Sequence, residues 1–332
     1  GAVEMGAVAE YLPGPGDLSD PAARARVAQL WKEDLPQEPG LTLMPMLERA
    51  RTGALKAMFI VGENPVGSLP LSAKAKEALQ SLEFLVCQEL FLTETAQLAH
   101  VVLPACSYAE KDGTFTNTEG HVQAVRHAID PIGESRPDWE IFSALSVLMG
   151  YPLEYGDAKE ILKEIRSLIP DYGRLGPAPT PMRPPTEAVD RYLRTGYATD
   201  AADRYALSGT EHEARGAGND GHLTLLIAQS LFHSGKLSTR SKGLLQVQAE
   251  GSLTLNPADA ARLGLEDRDR VRITNNLGAM TTTVTLAERV PKGLALFPEH
   301  FDQEARRLLT VSTDPVTQVP YYKSTQVRIE RL

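Results

Sequence analysis

Residues 57–68 read AMFIVGENPVGS, a stretch in which a short apolar run leads directly into the turn-forming residues GENP. An uncharged run of this length that ends in turn residues is typical of a buried β-strand in a parallel sheet. Ligands of open α/β sheets bind outside the carboxyl ends of the strands, where the loops diverge. The stretch therefore predicts a site for a ligand that carries phosphate or ribose groups at the end of this strand.

Two further apolar runs follow the first one along the chain. The helix-forming stretches SAKAKEALQSL (72–82) and TETAQLA (93–99) separate these runs from one another. Strands that are apolar throughout and alternate with short helices form parallel sheets that are covered on both faces. We therefore predict a Rossmann-like α/β domain whose parallel sheet contains residues 57–61, 84–88 and 100–104.

Composition limits the classes of function that the chain can serve. The 332 residues include 43 Asp and Glu against 34 Lys and Arg, a formal charge of -9, which argues against a grip on nucleic acid. No apolar run approaches the length of a membrane span, so we expect no direct membrane insertion. The two cysteines, Cys87 and Cys106, are too few for a disulfide framework or an iron–sulfur cluster. Their apolar surroundings favour buried free thiols.

The second half of the chain has a different pattern. From about Tyr172 to Gly221 it is rich in proline and poor in apolar residues, which is typical of a linker or a long surface excursion. Short strands divided by turns follow, with one helix, NPADAARLG, that Asn256 caps and Gly264 closes. We predict an α/β domain at 1–171, a linker or excursion at 172–221, and a mostly β, barrel-like domain at 222–332.

Polar residues follow the predicted strands of the sheet. Gly62 would let the backbone approach a phosphate, and Asn64 can donate or accept a hydrogen bond. Glu89 comes just after the second strand, like the acid that holds a ribose hydroxyl in dinucleotide folds. Thr93 and Thr95 begin the next predicted helix, where hydroxyl and N–H groups could meet an anion. The alternative is a simple tight turn with a solvated Glu89, and the pattern leaves both possibilities open.

Two more segments are dense in hydrogen-bonding residues. The stretch EKDGTFTNTEGHVQ (110–123) has the Asp-Gly pair of a hairpin turn, but its many hydroxyl and amide groups also suit a large polar ligand. In LFHSGKLSTRS (231–241), Gly235 with Lys236 and Arg240 suits a diphosphate, and an ordinary exposed loop is the alternative. The seven histidines show no metal-ligand spacing and no Ser-His-Asp order, which disfavours hydrolases.

The ordered series of these segments resembles the molybdopterin oxidoreductases. It is similar to the α-subunit of formate dehydrogenases and to the related large iron–sulfur subunit of NADH-quinone oxidoreductase (complex I). The likeness begins with GAVEMGAV and continues through AMFIVGENP, CQELFLTETAQLAHVVLPACSYAEKDGTFTNTEG and DWEIFSALSVLMGYP. LFHSGKLS, LNPADAARLGLEDRDRVRI and DPVTQVPYYKSTQVRIE extend it through the second domain. The resemblance implies a molybdopterin oxidoreductase domain followed by a molybdopterin dinucleotide-binding barrel of the double-psi type.

The resemblance also implies which residues face the cofactor. The family holds two pterin-guanine dinucleotides around one molybdenum or tungsten. The residues that would face one dinucleotide are Gly62, Glu63, Asn64, Gln88, Glu89, Thr93 and Asp112. Those that would line the other side are His233, Ser234, Gly235, Ser238, Tyr322 and Lys323. It implies no metal ligand and no catalytic residue in this chain.

The chain also departs from the family pattern. The family's iron–sulfur cysteines, and its metal-ligating cysteine or selenocysteine with the adjacent His, lie upstream of the part that this chain resembles. An Arg that assists formate oxidation would stand just before Gly1. Since these residues would all lie upstream, the resemblance implies that the chain is the carboxyl-terminal half of such a subunit and is inactive alone. The start GAVEMGAV, which has no leader pattern, agrees with a chain entered part-way through. Arg306 stands where formate dehydrogenases tend to carry Asn. LFHSG and TNTEG, with His121 after it, favour the complex I branch, where the pterin pocket can be empty.

Three functions follow from these observations, and we keep all three. In the first, the chain closes the bis-dinucleotide pocket of a cytoplasmic enzyme that oxidises formate to CO2. Its partners would be the amino-terminal half, which carries the iron–sulfur clusters, and other redox subunits, which could hold it at the membrane's cytoplasmic face. In the second, it is a cofactor-free structural part of the large iron–sulfur subunit of a complex I-type enzyme. The third, a free-standing nucleotide-binding module, is disfavoured because the chain lacks a complete phosphate fingerprint.

Overall fold

A computed structural model of the chain describes residues 1–172 and 222–332, with short gaps at 15, 70–71, 118–120, 171, 230–232, 234, 302, 310–311, 314–319 and 322–323. The described residues form two compact units. The first comprises residues 1–63 and 78–172, and the second comprises residues 64–77 and 222–332. The predicted linker or surface excursion lies outside the described residues, except for Tyr172.

The helices and strands up to residue 172 include the three predicted strands of the sheet and a helix within the predicted stretch 72–82. The helices are α1 (Pro21–Trp31), α2 (Leu43–Arg51), α3 (Pro65–Ser68), α4 (Ser72–Gln80), α5 (Asp138–Leu148) and α6 (Ala158–Leu168). The strands are β1 (Tyr11–Leu12), β2 (Gly16–Asp17), β3 (Ala57–Val61), β4 (Phe84–Glu89), β5 (Val101–Pro104), β6 (Gly113–Thr116) and β7 (Val122–Val125). Helix α6 is an addition that the sequence interpretation missed.

The strands β3, β4 and β5 form a parallel sheet in that order. Val61 lies beside Gln88, and Gln88 lies beside Leu103, so the carboxyl ends of all three strands meet at one edge. This confirms the predicted parallel sheet. The predicted helix at 93–99 is wrong in type, because only a 3-10 turn forms at Ala96–Leu98 before the backbone extends at Ala99. The chain joins the sheet directly after this turn, because the N–H of His100 donates to the carbonyl of Leu85 in β4.

The hairpin β6–β7 differs from its sequence prediction. The Asp-Gly pair does not form the turn, since Gly113 is the first residue of β6 and pairs with Val125 at the open end. The carboxylate of Asp112 instead accepts a hydrogen bond from the N–H of His127 at 2.9 Å. The Asp-Gly pair therefore lies at the open end of the hairpin, where Asp112 ties the two ends together, and not at the turn.

The second unit is built on a closed six-stranded barrel, in the order β10-β11-β9-β12-β8-β15. The strands after residue 221 are β8 (His222–Ala228), β9 (Leu253–Leu255), β10 (Arg270–Asn275), β11 (Gly278–Leu286), β12 (Leu294–Pro298), β13 (Ser312–Thr313), β14 (Pro320–Tyr321) and β15 (Ser324–Arg331). The pairs β8–β12 and β9–β11 are parallel, and the other barrel pairs are antiparallel. The predicted barrel is thereby confirmed.

The barrel encloses the apolar residues that alternate along its strands. Leu225, Leu253 and Leu255 are completely buried there, with Val271 and Ile273 from β10. Three short helices, Lys242–Val247, Pro257–Arg262 and Gln303–Arg307, accompany the strands. Only the second of these was predicted from the sequence.

The structure bears on two further expectations, the state of the cysteines and the presence of membrane spans. Cys87 and Cys106 are buried free thiols, as predicted. Burial, with a smaller contribution from Glu89, raises the pKa of the Cys87 thiol to about 11. In the described part of the chain, no helix has both the length and the apolar character needed to cross a membrane.

Candidate functional site

The carboxyl edge of the parallel sheet brings three of the predicted residues together. The N–H of Gly62 bonds to the carbonyl of Gln88 at 2.9 Å, which extends the β3–β4 ladder by one residue. Glu89 is the last residue of β4 and lies beside Pro104 of β5. Gly62 has a φ of 62°, and a Cβ added there would meet no atom within 4 Å. The turn thus needs glycine for its backbone, and it leaves bare backbone at the edge of the sheet.

Gln88 sits in a polar network that the sequence interpretation did not find. Its side chain is completely buried, and its Nε2 donates to Asp138 Oδ1 at 2.7 Å. The other carboxylate oxygen of Asp138 accepts from the ammonium group of Lys111. Among the described residues, Gln88 Oε1 has no hydrogen-bond partner. A buried acceptor in that state costs about 1–3 kcal/mol, so a donor from a ligand or from water would stabilise it.

Glu89 and Thr93 keep hydrogen-bonding capacity at the same edge. Glu89 is partly exposed, and its Oε1 accepts from the N–H of Leu90 at 2.7 Å. A carboxylate has further acceptor positions, so this local bond does not exhaust it. Thr93 Oγ1 accepts from the N–H of Ala96 at 3.2 Å, and its hydroxyl can still donate. Both residues therefore suit a ligand rich in hydroxyl and amine groups.

Other predicted residues have local structural roles. Asp112 contacts His127 Nδ1 at 3.1 Å as well as the backbone N–H of His127. These hydrogen bonds lower the pKa of Asp112, so the carboxylate is ionised at neutral pH. Asn64 Oδ1 accepts from the N–H of Gly67 at 3.2 Å and caps α3, and Glu63 is exposed in the turn before it.

In the second unit, His233 is a buried and fully engaged side chain. It is 1% exposed, its Nδ1 lies 2.9 Å from Ser238 Oγ, and its Nε2 lies 3.1 Å from the carbonyl of Gln248. The ring of Phe301 meets it edge-on, with the centroids 4.8 Å apart. Both ring nitrogens are thus used within the protein. His233 can position the loop around it, but it offers no spare nitrogen in this arrangement.

The loop that His233 anchors contains two further predicted residues, Gly235 and Ser238. Gly235 has a φ of 76°, and an added Cβ would meet no atom within 4 Å. Ser238 Oγ donates to the carbonyl of Gly235 at 2.6 Å, which closes the 3-10 turn Lys236–Arg240. Ser234, Tyr322 and Lys323 were predicted for the same side, and they lie outside the described residues.

Two basic residues of the second unit bind the segment that follows β3. The ammonium group of Lys236 donates to the carbonyl of Gly67, and Arg306 Nη1 donates to the carbonyl of Ser68 at 2.6 Å. Arg306 is 5% exposed and lies 3.6 Å from Glu299. Lys236, which the sequence suggested for a diphosphate, is thus engaged by the backbone. Sequence reasoning had no means of finding these pairs, because 169 and 238 residues separate the partners.

A cavity of about 390 Å³ lies on the barrel unit, and its lining includes Glu250, Arg270, Thr282 and Phe301. None of the described residues predicted for the cofactor lines it. Within the described ranges, no group of three or more His, Cys, Asp or Glu is placed to hold a metal ion. The carboxyl edge of the sheet and the loop at Gly235 are therefore the candidate sites.

Two family patterns match the chain in the order of its two units. The pattern called Molybdopterin oxidoreductase matches residues 2–147, and the one called Molydopterin dinucleotide binding domain matches residues 226–326. The first covers the parallel sheet with its carboxyl edge, and the second covers most of the barrel and the Gly235 loop. The chain belongs to the molybdopterin oxidoreductase family.

Relatives within the molybdopterin oxidoreductases include both branches that the sequence resembles. The F420-dependent formate dehydrogenase subunit alpha of Methanocaldococcus jannaschii is 33% identical over 100% of this chain and 51% of its own length. An NADH-quinone oxidoreductase subunit of Rhizobium meliloti is 32% identical over 91% of this chain and 34% of its own length. The chain thus spans about half or less of the length of these relatives.

A solved structure of similar fold is the acetylene hydratase from Pelobacter acetylenicus. It matches with a TM-score of 0.61 at 16% identity, over 86% of this chain and 46% of that one. At this identity the likeness concerns the fold alone. It agrees with the α/β and barrel architecture described above.

The residues of this molybdopterin oxidoreductase chain fit a pterin-guanine dinucleotide. Such a group carries phosphates, ribose hydroxyls and the N–H donors of guanine. Gln88 Oε1 and the Glu89 carboxylate are acceptors for those donors, and the glycine turns at Gly62 and Gly235 leave backbone accessible to phosphate. The fit is one of donor and acceptor chemistry in each unit separately.

Proposed function

We propose that this chain forms part of the pterin-guanine dinucleotide site of a formate dehydrogenase-like oxidoreductase. The observation that carries the proposal is the carboxyl edge of the sheet, where Gly62, Gln88 and Glu89 meet in the part that matches the oxidoreductase pattern. The 33% identity to a formate dehydrogenase subunit alpha along the whole chain supports formate as the substrate. When bound, the metal–pterin group supplies the two-electron redox chemistry.

In this proposal the chain's own residues bind and orient. The Glu89 carboxylate accepts hydrogen bonds from ribose or guanine, and Thr93 donates one from its hydroxyl. Gln88 Oε1 accepts a further bond, with its amide fixed by Asp138. Backbone N–H groups beside Gly62 and Gly235 face phosphate oxygens. The resemblance adds Glu63, Asn64 and Asp112 to the residues that face one dinucleotide, and it assigns His233, Ser234, Ser238, Tyr322 and Lys323 to the other.

Several finer points are part of the same proposal. The barrel is of the double-psi type, which its closed ring of six strands with two parallel pairs supports. The domains span 1–171 and 222–332, with 172–221 between them. The chain is the carboxyl-terminal half of a subunit and is not active alone. Iron–sulfur clusters and the metal ligands belong to the other half, because two buried cysteines cannot hold a cluster.

A structural, cofactor-free role in a complex I-type enzyme is the second candidate. Its specific support is Arg306, which is buried and already bonded to the carbonyl of Ser68 in the segment that follows Asn64. The 32% identity to an NADH-quinone oxidoreductase subunit agrees with this alternative. Under this proposal the loops are fixed by the protein itself and support neighbouring domains. A free-standing nucleotide-binding module stays disfavoured.

Removal of the Glu89 carboxylate separates the two candidates. A hydrogen bond to a charged group contributes about 1.5–3 kcal/mol, so Glu89→Ala should reduce dinucleotide retention in the full-length protein by about tenfold or more. The matched control is Glu83→Ala, because Glu83 lies just before the same strand at its amino end and pairs with the exposed Lys56. The measurement is metal and pterin content per mole of purified protein.

Each result of this experiment decides between the candidates. Loss of pterin in Glu89→Ala with retention in Glu83→Ala supports the cofactor site. Equal retention in both variants contradicts the role given to Glu89. If the wild-type protein contains neither metal nor pterin, the catalytic proposal fails and the structural role stands.

A further inference from the structure

The cavity on the barrel unit has the size of a small-molecule pocket. Its volume is about 390 Å³, and pockets that hold small ligands begin near this value. Its walls include Phe297 and Phe301, three consecutive threonines at 281–283, and one residue of each charge, Arg270 and Glu250. No described residue of the proposed dinucleotide site lines it, so the chemistry of these walls has to identify its ligand.

The strand register places Arg270 beside two of the threonines. Arg270 lies directly across from Thr283 in the antiparallel pair β10–β11. Residues in this relation project from the same face, and Thr281, two positions along β11, shares that face with Thr283. A guanidinium group beside two hydroxyl groups offers only hydrogen-bond donors that suit a carboxylate. This wall of the cavity is therefore suited to the anionic group of a ligand.

Glu250 supplies the opposite charge from the other side of β11. The segment that contains Glu250 leads into β9, which pairs with β11 on the side away from β10. Thr282 Oγ1 donates to the carbonyl of Gly251 at 3.1 Å, and this bond fixes the segment against β11. Arg270 and Glu250 therefore line the same cavity from the two sides of one strand.

The protein itself does not compensate these two charges. In the part of the chain that the structure describes, neither Arg270 nor Glu250 forms an ion pair, whereas the nearby Arg331 binds Asp269 at 2.7 Å. An exposed charge needs no partner. Two opposite charges that share a cavity without pairing nevertheless offer complementary contacts to a ligand that carries both.

The remaining wall is apolar and closely packed. Phe297 is 2% exposed. A Cβ added at Gly251 would lie 2.8 Å from the ring of Phe297 and 3.0 Å from the Cβ of Phe301. Glycine is thus required for the backbone to pack directly on these phenylalanines. Their rings give the cavity a fixed wall for the apolar part of a ligand, and an aromatic face also attracts an ammonium group.

We propose that this cavity binds a small zwitterion of the amino-acid class with an apolar side chain. Its carboxylate accepts hydrogen bonds from Arg270 and from the hydroxyl groups of Thr281 and Thr283. Its ammonium group donates to Glu250, and its side chain packs against Phe301. A simple anion would leave Glu250 unused, and a simple amine would leave Arg270 unused. The site lies within the barrel unit and does not depend on whether a pterin binds.

Titration of amino acids into the full chain without cofactor tests this proposal. The probes are L-phenylalanine, L-leucine and L-methionine, and at least one should bind saturably with a Kd of about 1 mM or below in calorimetry. Each has two matched probes, one without the ammonium group and one without the carboxylate. For L-phenylalanine these are 3-phenylpropanoate and 2-phenylethylamine. Both should bind at least about tenfold more weakly, because each lacks one charged set of hydrogen bonds.

Substitutions assign the two charges to the protein. Arg270→Gln and Glu250→Gln should each weaken the amino acid by at least about tenfold. The matched control is Arg272→Gln, because Arg272 is an exposed arginine on the same face of β10 that does not line the cavity. At about 0.15 M salt, which screens exposed charges, this variant should bind like the wild type. Circular dichroism should show that all three variants fold, since the substituted residues are exposed.

Three results would overturn the proposal. The first is that none of the three amino acids binds. The second is that a matched probe with a single charge binds as tightly as its amino acid, which would remove the role of either Arg270 or Glu250. The third is that Arg270→Gln and Arg272→Gln change the affinity equally. Because pterin content plays no part, the outcome is independent of the Glu89 experiment.

Discussion

Cys87 lies one residue before Gln88 on β4, and its thiol is shielded from solvent. Burial raises its pKa to about 11, and the pKa of Cys106 is also raised, chiefly by burial. Only the thiolate reacts with disulfide reagents, so Cys87 should react at pH 8 at least about a hundredfold more slowly than free cysteine, and Cys106 should also react more slowly. The measurement is the rate at which the protein thiols react with a disulfide reagent, with and without denaturant. Rapid reaction of either thiol in the folded protein would contradict this prediction.

The surroundings of His300 predict that the stability of the barrel unit depends on pH. Burial lowers its pKa, Glu299 raises it, and His233 and Arg306 lower it further, with a net decrease. A histidine whose folded pKa is lowered stabilises the fold fully above its unfolded pKa of about 6.5. That contribution is lost as the pH falls below this value, because the unfolded chain takes up the proton first. The denaturant concentration at the unfolding midpoint should therefore decrease as the pH is lowered from 7.5 to 5.5. His300→Gln should make this decrease smaller.

At the level of single elements, the helix at Pro257–Arg262 depends on its cap. Asn256 Oδ1 accepts from the N–H of Ala258 at 2.9 Å, and Nδ2 donates to the carbonyl of Val290 at 2.8 Å. Asn256→Ala should lower the free energy of unfolding by about 1–2 kcal/mol. Asn256→Ser keeps a capping oxygen and should recover most of the loss in denaturant titrations. Equal losses in both variants would show that the cap is not the cause.

The sequence predicted those elements whose causes are local. The strands β3 to β5 follow from uninterrupted apolar runs, and the cap at Asn256 follows from a short pattern. The helix predicted at 93–99 does not form, because the chain must become extended at Ala99 to enter β5. Helix propensity is a weak preference that such tertiary pairing overrides. The Asp-Gly pair lies at the open end of the hairpin, where Asp112 bonds to the N–H of His127. The residues at positions 112 and 113 do not by themselves predict this long-range contact.

For the whole molecule, the family and the order of two units could be read from the sequence, but the contacts around the candidate site could not. The network of Gln88, Asp138 and Lys111 joins residues up to 50 positions apart. Segment 64–77 belongs to the barrel unit although it follows a strand of the sheet. Such placements depend on side chains that meet only after folding, so no periodicity in the sequence records them.

Arg306 provides the test at this scale. Its guanidinium joins the carbonyl of Ser68 and the carboxylate of Glu299 in a nearly dry environment. Arg306→Ala leaves both partners without this cation, so the free energy of unfolding should fall by about 2 kcal/mol or more. Hydrogen exchange should become faster in residues 65–69, because the hydrogen bond from Arg306 to the carbonyl of Ser68 is lost. Arg272→Ala removes an exposed cation from β10 and should change neither quantity. Unchanged exchange at 65–69 in Arg306→Ala would mean that Lys236 alone holds this segment to the barrel unit.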